Sequence, residues 1–112
     1  MARTISSRIV SDVVIFDLSG RFSDSEGSLR ELVNKHLSDG RLNFLFNIAG
    51  VPYVGTWGLN QMIVILTSIR KRGGTMGLVA PINRVREVLK ITKLDTVFPI
   101  HENEPEALKH FF

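Results

Sequence analysis

Apolar positions along this chain switch repeatedly between a two-residue and a 3.6-residue period, and the switching predicts alternating strands and helices. Arg3 to Val10 reads as a first strand, with Ile5 and Ile9 apolar, and Ser11-Asp12 as a turn. Val13-Val14-Ile15-Phe16-Asp17-Leu18 is a stronger strand, β-branched and aromatic, and pairs with the first as a hairpin. Ser23-Asp24-Ser25-Glu26 has the spacing of a capping box, in which the serine and the glutamate satisfy free N–H groups at a helix start. The helix it opens has Leu29, Leu32, Val33, His36 and Leu37 on one face and ends at Asp39-Gly40.

Asn43 to Ala49 is nearly all apolar, as in a central strand covered on both faces. A helix from Gly58 to Lys71 follows, with a core stripe of Leu59, Met62, Ile63, Leu66 and Ile69 and a stop at Gly73-Gly74. Thr75 to Ala80 is the next strand. Pro81-Ile82-Asn83 breaks it, and Asn83 caps a helix whose inner face is Val85, Val88, Leu89 and Thr92. Leu94 to Ile100 leads into a short edge strand, where Pro99 is tolerated. Asn103 caps a last helix from Glu104, with Pro105 in its first turn and Ala107, Leu108 and Phe111 packing inward. The order ββαβαβαβα predicts an α/β fold in one domain over residues 1–112. Its mixed sheet has about five strands joined by right-handed crossovers, with about four helices mainly on one face. Phe46, Ile48, Leu66 and Val79 are expected in its core.

Composition narrows the function. The chain has 112 residues, enough for one hydrophobic core, and 44% of them are hydrophobic. It has no cysteine, so it has no disulfide framework, thiol nucleophile or cysteine zinc site. The start, Met1 to Ser7, lacks the apolar core of a secretory signal, and the aliphatic run Met62–Leu66 is too short to span a bilayer. A cytoplasmic protein without membrane insertion is expected. Net charge is +3, but the basic residues are scattered, and the cluster Arg70-Lys71-Arg72 ends a helix, where cations complement the dipole. Direct nucleic-acid binding is therefore not expected. His36, His101 and His110 match no metal-ligand spacing, no phosphate-binding glycine loop follows a strand, and no nucleophile elbow is present. Asp17, Asp24 and Asp95 are the remaining acids, unpaired by spacing. Neither an enzyme, a metal site nor a cofactor is expected.

The chemistry concentrates at the joint Val51-Pro52-Tyr53-Val54-Gly55-Thr56-Trp57-Gly58-Leu59. Thr56 sits where a helix begins, and helix starts expose unpaired N–H groups and a partial positive charge. Its hydroxyl is either a simple cap or a phosphorylation site whose charge the helix end tolerates. Trp57 lies off the core stripe of that helix. Exposed, it marks a docking surface shared with Tyr53, Asn60, Gln61 and Val64.

Three segments resemble the STAS domain of bacterial anti-sigma factor antagonists: Val14 to Phe22, Phe44 to Leu59, and Leu89 to Ile100, the last like the family's hydrophobic-Thr-Gly-Leu-Asp-x-hydrophobic-Phe segment. The resemblance implies a STAS fold and a switch loop that usually reads Asp-Ser-Ser-Gly, with the first serine phosphorylated by a partner kinase. Gly55 stands in the aspartate place, Thr56 in that of the phosphorylated hydroxyl, Trp57 in that of the second serine and Gly58 in that of the glycine. A second family acid, in Gly-x-hydrophobic-Asp, falls at Ser23, with Asp24 one step on. What the resemblance implies is a transcription regulator that switches partners with an anti-sigma factor serine/threonine kinase. Phosphate on Thr56 would control it, through contacts at Tyr53, Gly55, Trp57, Gly58, Asn60, Gln61 and Val64. The departures at Gly55 and Trp57 point instead to an unphosphorylated STAS scaffold subunit of a sensory or lipid-transport complex.

Overall fold

The computed structural model describes residues 4–20 and 27–111. Its strands are β1 (Thr4–Val10), β2 (Val13–Ser19), β3 (Asn43–Gly50), β4 (Thr75–Val79) and β5 (Ile100–His101). Its helices are α1 (Gly27–Ser38), α2 (Thr56–Lys71), α3 (Asn83–Ile91) and α4 (Glu104–Leu108), with a single 3₁₀ turn at Leu94–Thr96. The proposed capping box at Ser23–Glu26, and with it Ser23 and Asp24, lies outside the described residues.

The strands form one sheet in the order β1-β2-β3-β4-β5. β1 and β2 are an antiparallel hairpin turning at Ser11, whose φ of 54° is left-handed. Each later strand adds in parallel to the one before it. Strands added in one direction by crossovers of one hand must carry their helices on one face, and α1, α2 and α3 all lie there.

Strand alternation divides the core. Val14, Phe16 and Leu18 of β2, Phe44, Phe46 and Ile48 of β3, and Met76 and Leu78 of β4 point to the three-helix side. There they meet Leu29, Val33, Leu37, Met62, Ile65, Leu66, Ile69, Val85, Leu89 and Phe98. The opposite face is smaller: Val13, Ile15, Leu45 and Val79 pack against Ala107 of α4, with Leu108 and Phe111 at the margin. Phe46, Ile48, Leu66 and Val79 are all buried as expected, Val79 on the α4 side.

Four local expectations change. α2 starts at Thr56, two residues before Gly58, with Gly55 as its N-cap. Its inner stripe runs through Gly58, Met62, Ile65, Leu66 and Ile69, while Ile63 is 40% exposed and Leu59 half-buried. Asn83 is the first residue of α3 rather than its cap, which is Ile82. Leu32 and Thr92 face solvent, the Thr92 hydroxyl donating to the Val88 carbonyl at 2.7 Å. Other termini behave as read: Gly40 closes α1 with φ 86°, and Asn103 Oδ1 accepts from the Glu106 N–H at 2.9 Å.

Candidate functional site

The joint between β3 and α2 is held from below and open above. Val51 and Val54 are buried and anchor the loop in the three-helix core. The Val51 N–H donates to the Ile48 carbonyl at 3.1 Å, and the Gly20 N–H to the Gly50 carbonyl at 3.0 Å, tying the loop to the end of β2. Gly50 is required at this approach, because a Cβ there would lie 3.0 Å from the Ser19 Cβ and 3.1 Å from the Leu18 carbonyl oxygen. Pro52 and Tyr53 between the anchors are exposed.

Gly55 is extended, with φ −87° and ψ −179°, and its carbonyl accepts the first helical bond from the Leu59 N–H at 2.9 Å. The N–H groups of Thr56, Trp57 and Gly58 therefore form the free first turn, and no acidic residue stands in it. This end of a 16-residue helix carries a partial positive charge that no acid of its own first turn offsets. Thr56 is exposed, as the first residue of the helix and not as its cap. Trp57 is 44% and Tyr53 42% exposed. Asn60 is also exposed, Gln61 and Val64 are half-buried, and Gly58 is buried and presents no surface.

The Tyr53 ring lies over Gly55. A Cβ on Gly55 would meet the ring Cε2 at 3.3 Å and the phenolic oxygen at 3.6 Å. The space that an aspartate side chain would enter is bordered by this phenol.

Residues beyond those singled out from the sequence complete the surface. Thr56, Leu59, Asn60 and Ile63 of α2 and Thr92 and Leu94 beyond α3 line a shallow hollow of about 300 Å³. Ile91, next to Thr92, is 74% exposed. A signal for Ile63 was present: it falls one and two turns beyond Asn60 and Thr56, on the stripe that begins at the phosphoacceptor candidate.

The remaining candidates stand elsewhere. Asp17 is on the α4 side of the sheet, where Arg8 Nε donates to it at 2.8 Å and Asn47 Nδ2 at 2.8 Å. The Arg8 guanidinium holds the Asp17 carboxyl below its ordinary pKa, against the cost of its partial burial. Asp95 is exposed on the 3₁₀ turn. His36 packs edge-on against Phe16 and Phe44, and burial lowers its pKa. Among the described residues no three histidine or acid side chains converge as metal ligands, and no helix is long and apolar enough to cross a membrane. The sequential strand order also lacks the reversal at which open α/β sheets form a ligand crevice.

The STAS domain family model matches residues 4–107. The chain belongs to the STAS domain family. A protein of Thermotoga neapolitana, provisionally named an anti-sigma factor antagonist, is 31% identical over 104 residues, covering 91% of this chain and 92% of its own. The crystal structure of a protein of the same provisional name from Thermotoga maritima superposes with a TM-score of 0.86 at 28% identity, over 95% of this chain and 92% of that one. The phosphorylated form of the Bacillus cell fate determinant SpoIIAA shares the fold, with a TM-score of 0.77 at 15% identity over 97% and 100% of the two chains. The STAS mixed sheet with its helices mainly on one face is thus the architecture expected from the resemblance.

Proposed function

We propose that this STAS domain, acting over residues 1–112, is a cytoplasmic anti-sigma factor antagonist that switches partners through Thr56. The supporting observation is the exposed threonine on a helix start with no acid in its first turn, close in sequence to the exposed Tyr53 and Trp57. The unmodified surface docks an anti-sigma factor kinase, with Trp57 as anchor and Tyr53, Gly55, Asn60, Gln61 and Val64 around it. The kinase supplies the chemistry, and this chain supplies only the acceptor hydroxyl. Phosphate adds about −1.5 to −2 charges and three strong acceptor oxygens. The first-turn N–H groups tolerate that charge, while a partner packed against Trp57 has to desolvate it. The complex then separates and the kinase is free to hold its sigma factor.

The test is reconstitution with the cognate kinase and ATP, followed by phosphosite mapping. One phosphate on Thr56 is expected, with none on the Thr56→Ala variant. Labelling that persists in that variant, or is absent with the kinase that binds the protein, refutes the switch.

One observation favours a second reading. The acid of the family's switch loop is replaced by Gly55, and Tyr53 borders its place. A constitutive interaction subunit of a larger assembly needs no such acid. In that case the same surface captures its partner equally with and without ATP.

A further inference from the structure

β1 is the outermost strand of the sheet: β2 pairs with one of its edges, and among the described residues no strand pairs with the other. Its seven residues, Thr4–Val10, run against β2 without a bulge and contain no proline. Such an edge presents a row of free N–H and C=O groups, which folded proteins usually blunt with proline, a bulge or an outward charge. The one charge on β1 is committed elsewhere. Arg8 stands opposite Ile15, on the α4 side, and is held there by Asp17 and Glu104 of its own chain. Ile5, Ser7 and Ile9 stand opposite Leu18, Phe16 and Val14, and so share the three-helix side. Ile5 is half-buried at its margin, Ser7 is exposed, and Ile9 is 49% exposed.

We propose that β1 is a docking edge for β1 of a second copy of this chain, paired antiparallel about a two-fold axis through Ser7. The strand's own sequence, Thr4-Ile5-Ser6-Ser7-Arg8-Ile9-Val10, selects the occupant, because it is self-complementary in this register. Ser7 is its middle residue, so all seven positions pair. At both ends of the ladder Ile5 of one copy faces Ile9 of the other, with the two small Ser7 side chains between. Arg8 faces Ser6 rather than another charge. Apolar β-branched pairs across a ladder stabilise a sheet, and the exposed Ile9 is covered. A slip of two residues one way sets Ile5 against Ser7. The other way sets Arg8 against Arg8 and Ile9 against Ser7. A slip of one residue turns the helix side of one copy against the α4 side of the other. The result is one continuous sheet with α1, α2 and α3 of both copies on the same side. The axis reverses β3, so the two Thr56 surfaces point towards opposite ends of the dimer and stay open. Seven residues of strand make a small interface, so the dimer is weak and forms at about micromolar concentrations.

Sedimentation velocity and cross-linking of the full chain test the pairing. The average mass of the wild type is expected to rise from one chain towards two as concentration increases through the micromolar range. The chain has no cysteine, so Ser7→Cys supplies a lone thiol at an exposed position. Directly opposed residues have Cα atoms about 4.5–5.5 Å apart, inside the disulfide range of about 4.4–6.8 Å. Ser6→Cys is the control, since its two copies stand two positions out of step, about 8 Å apart. On mild oxidation Ser7→Cys forms the covalent dimer at least about tenfold faster than Ser6→Cys. Ile9→Lys sets a charge against Ile5 in the interface, and leaves the chain monomeric at concentrations where the wild type is dimeric. Its melting temperature reports whether the hairpin is kept, and cross-linking, which leaves Ile9 in place, decides the register on its own. The proposal is overturned if the wild type stays monomeric throughout, if Ser6→Cys cross-links as fast as Ser7→Cys, or if folded Ile9→Lys protein dimerises as tightly as wild type.

Discussion

Gly55→Asp restores the acid of the family's switch loop, and its effect on stability follows from the geometry of the helix start. The backbone at Gly55 is already in the extended conformation of an N-cap, so no strain opposes a side chain. A carboxylate there accepts from the free N–H groups of Trp57 or Gly58. Replacing a capping glycine by aspartate gains a few tenths of a kcal/mol, and a negative charge at a helix start with no acid in its first turn about 0.3–1 more. Against this, the new Cβ sits 3.3 Å from Tyr53 Cε2, and the ring must shift by a few tenths of an ångström. Tyr53 is 42% exposed, so it turns outward at little cost. The net gain is about 0.5 kcal/mol, or about 2 °C in melting temperature for a domain of this size. Thermal melts in low and high salt provide the assay. The dipole part is screened at 1 M salt, where the Debye length is about 3 Å, so the gain shrinks there. In a Tyr53→Ala background the steric opposition is gone and the gain grows. Destabilisation by Gly55→Asp in both backgrounds would refute the assignment of Gly55 as a free N-cap.

Two further outcomes follow. Trp57→Ala should hardly move the melting temperature, because the residue is 44% exposed and lies off the buried stripe of α2, yet should cost on the order of 2 kcal/mol of partner affinity; a variant that unfolds readily, or binds undiminished, shows that the ring is packing only. Stability should fall as pH drops below about 6.5: His36 and His101 are both lowered from that value in the fold, so the unfolded chain takes up protons first and their contribution, complete above 6.5, is lost on acidification. Urea melts at pH 7.5 and 5.5 check this, with His36→Gln reducing the drop; an unchanged midpoint contradicts it. Asp17, lowered from 3.8, adds a second loss only below that pH.

Much of this was legible in the chain. Period switching located every strand and helix, because each element buries one face and the burial dictates the spacing. Which stripe of α2 turns inward was not legible. Met62 to Leu66 is apolar at every position, so Ile63 and Ile65 satisfy the local period almost equally, and packing against the sheet decides for Ile65. Starting α2 at Thr56 instead of Gly58 also depends on the loop anchors Val51 and Val54, whose burial no local pattern reveals. The candidate surface was half visible. Tyr53, Thr56, Trp57 and Asn60 are neighbours in sequence, whereas Thr92 and Leu94 reach the hollow only through the fold. The same holds for Asp17, whose partners Arg8 and Asn47 come from adjacent strands.

The Arg8 guanidinium does more than neutralise Asp17. It also donates to both carboxylate oxygens of Glu104, 96 residues on, and so joins the first strand to the last helix. During synthesis these groups appear 96 residues apart. Arg8 and Asp17 are made early, but Val13, Ile15, Leu45 and Val79 stay uncovered until Ala107 and Glu104 leave the ribosome. A nascent chain halted before α4 would hold a completed three-helix side and a bare apolar sheet face. Such faces are where unfinished proteins associate with one another. The short segment around α4 thus decides whether that apolar face is covered or left open to association.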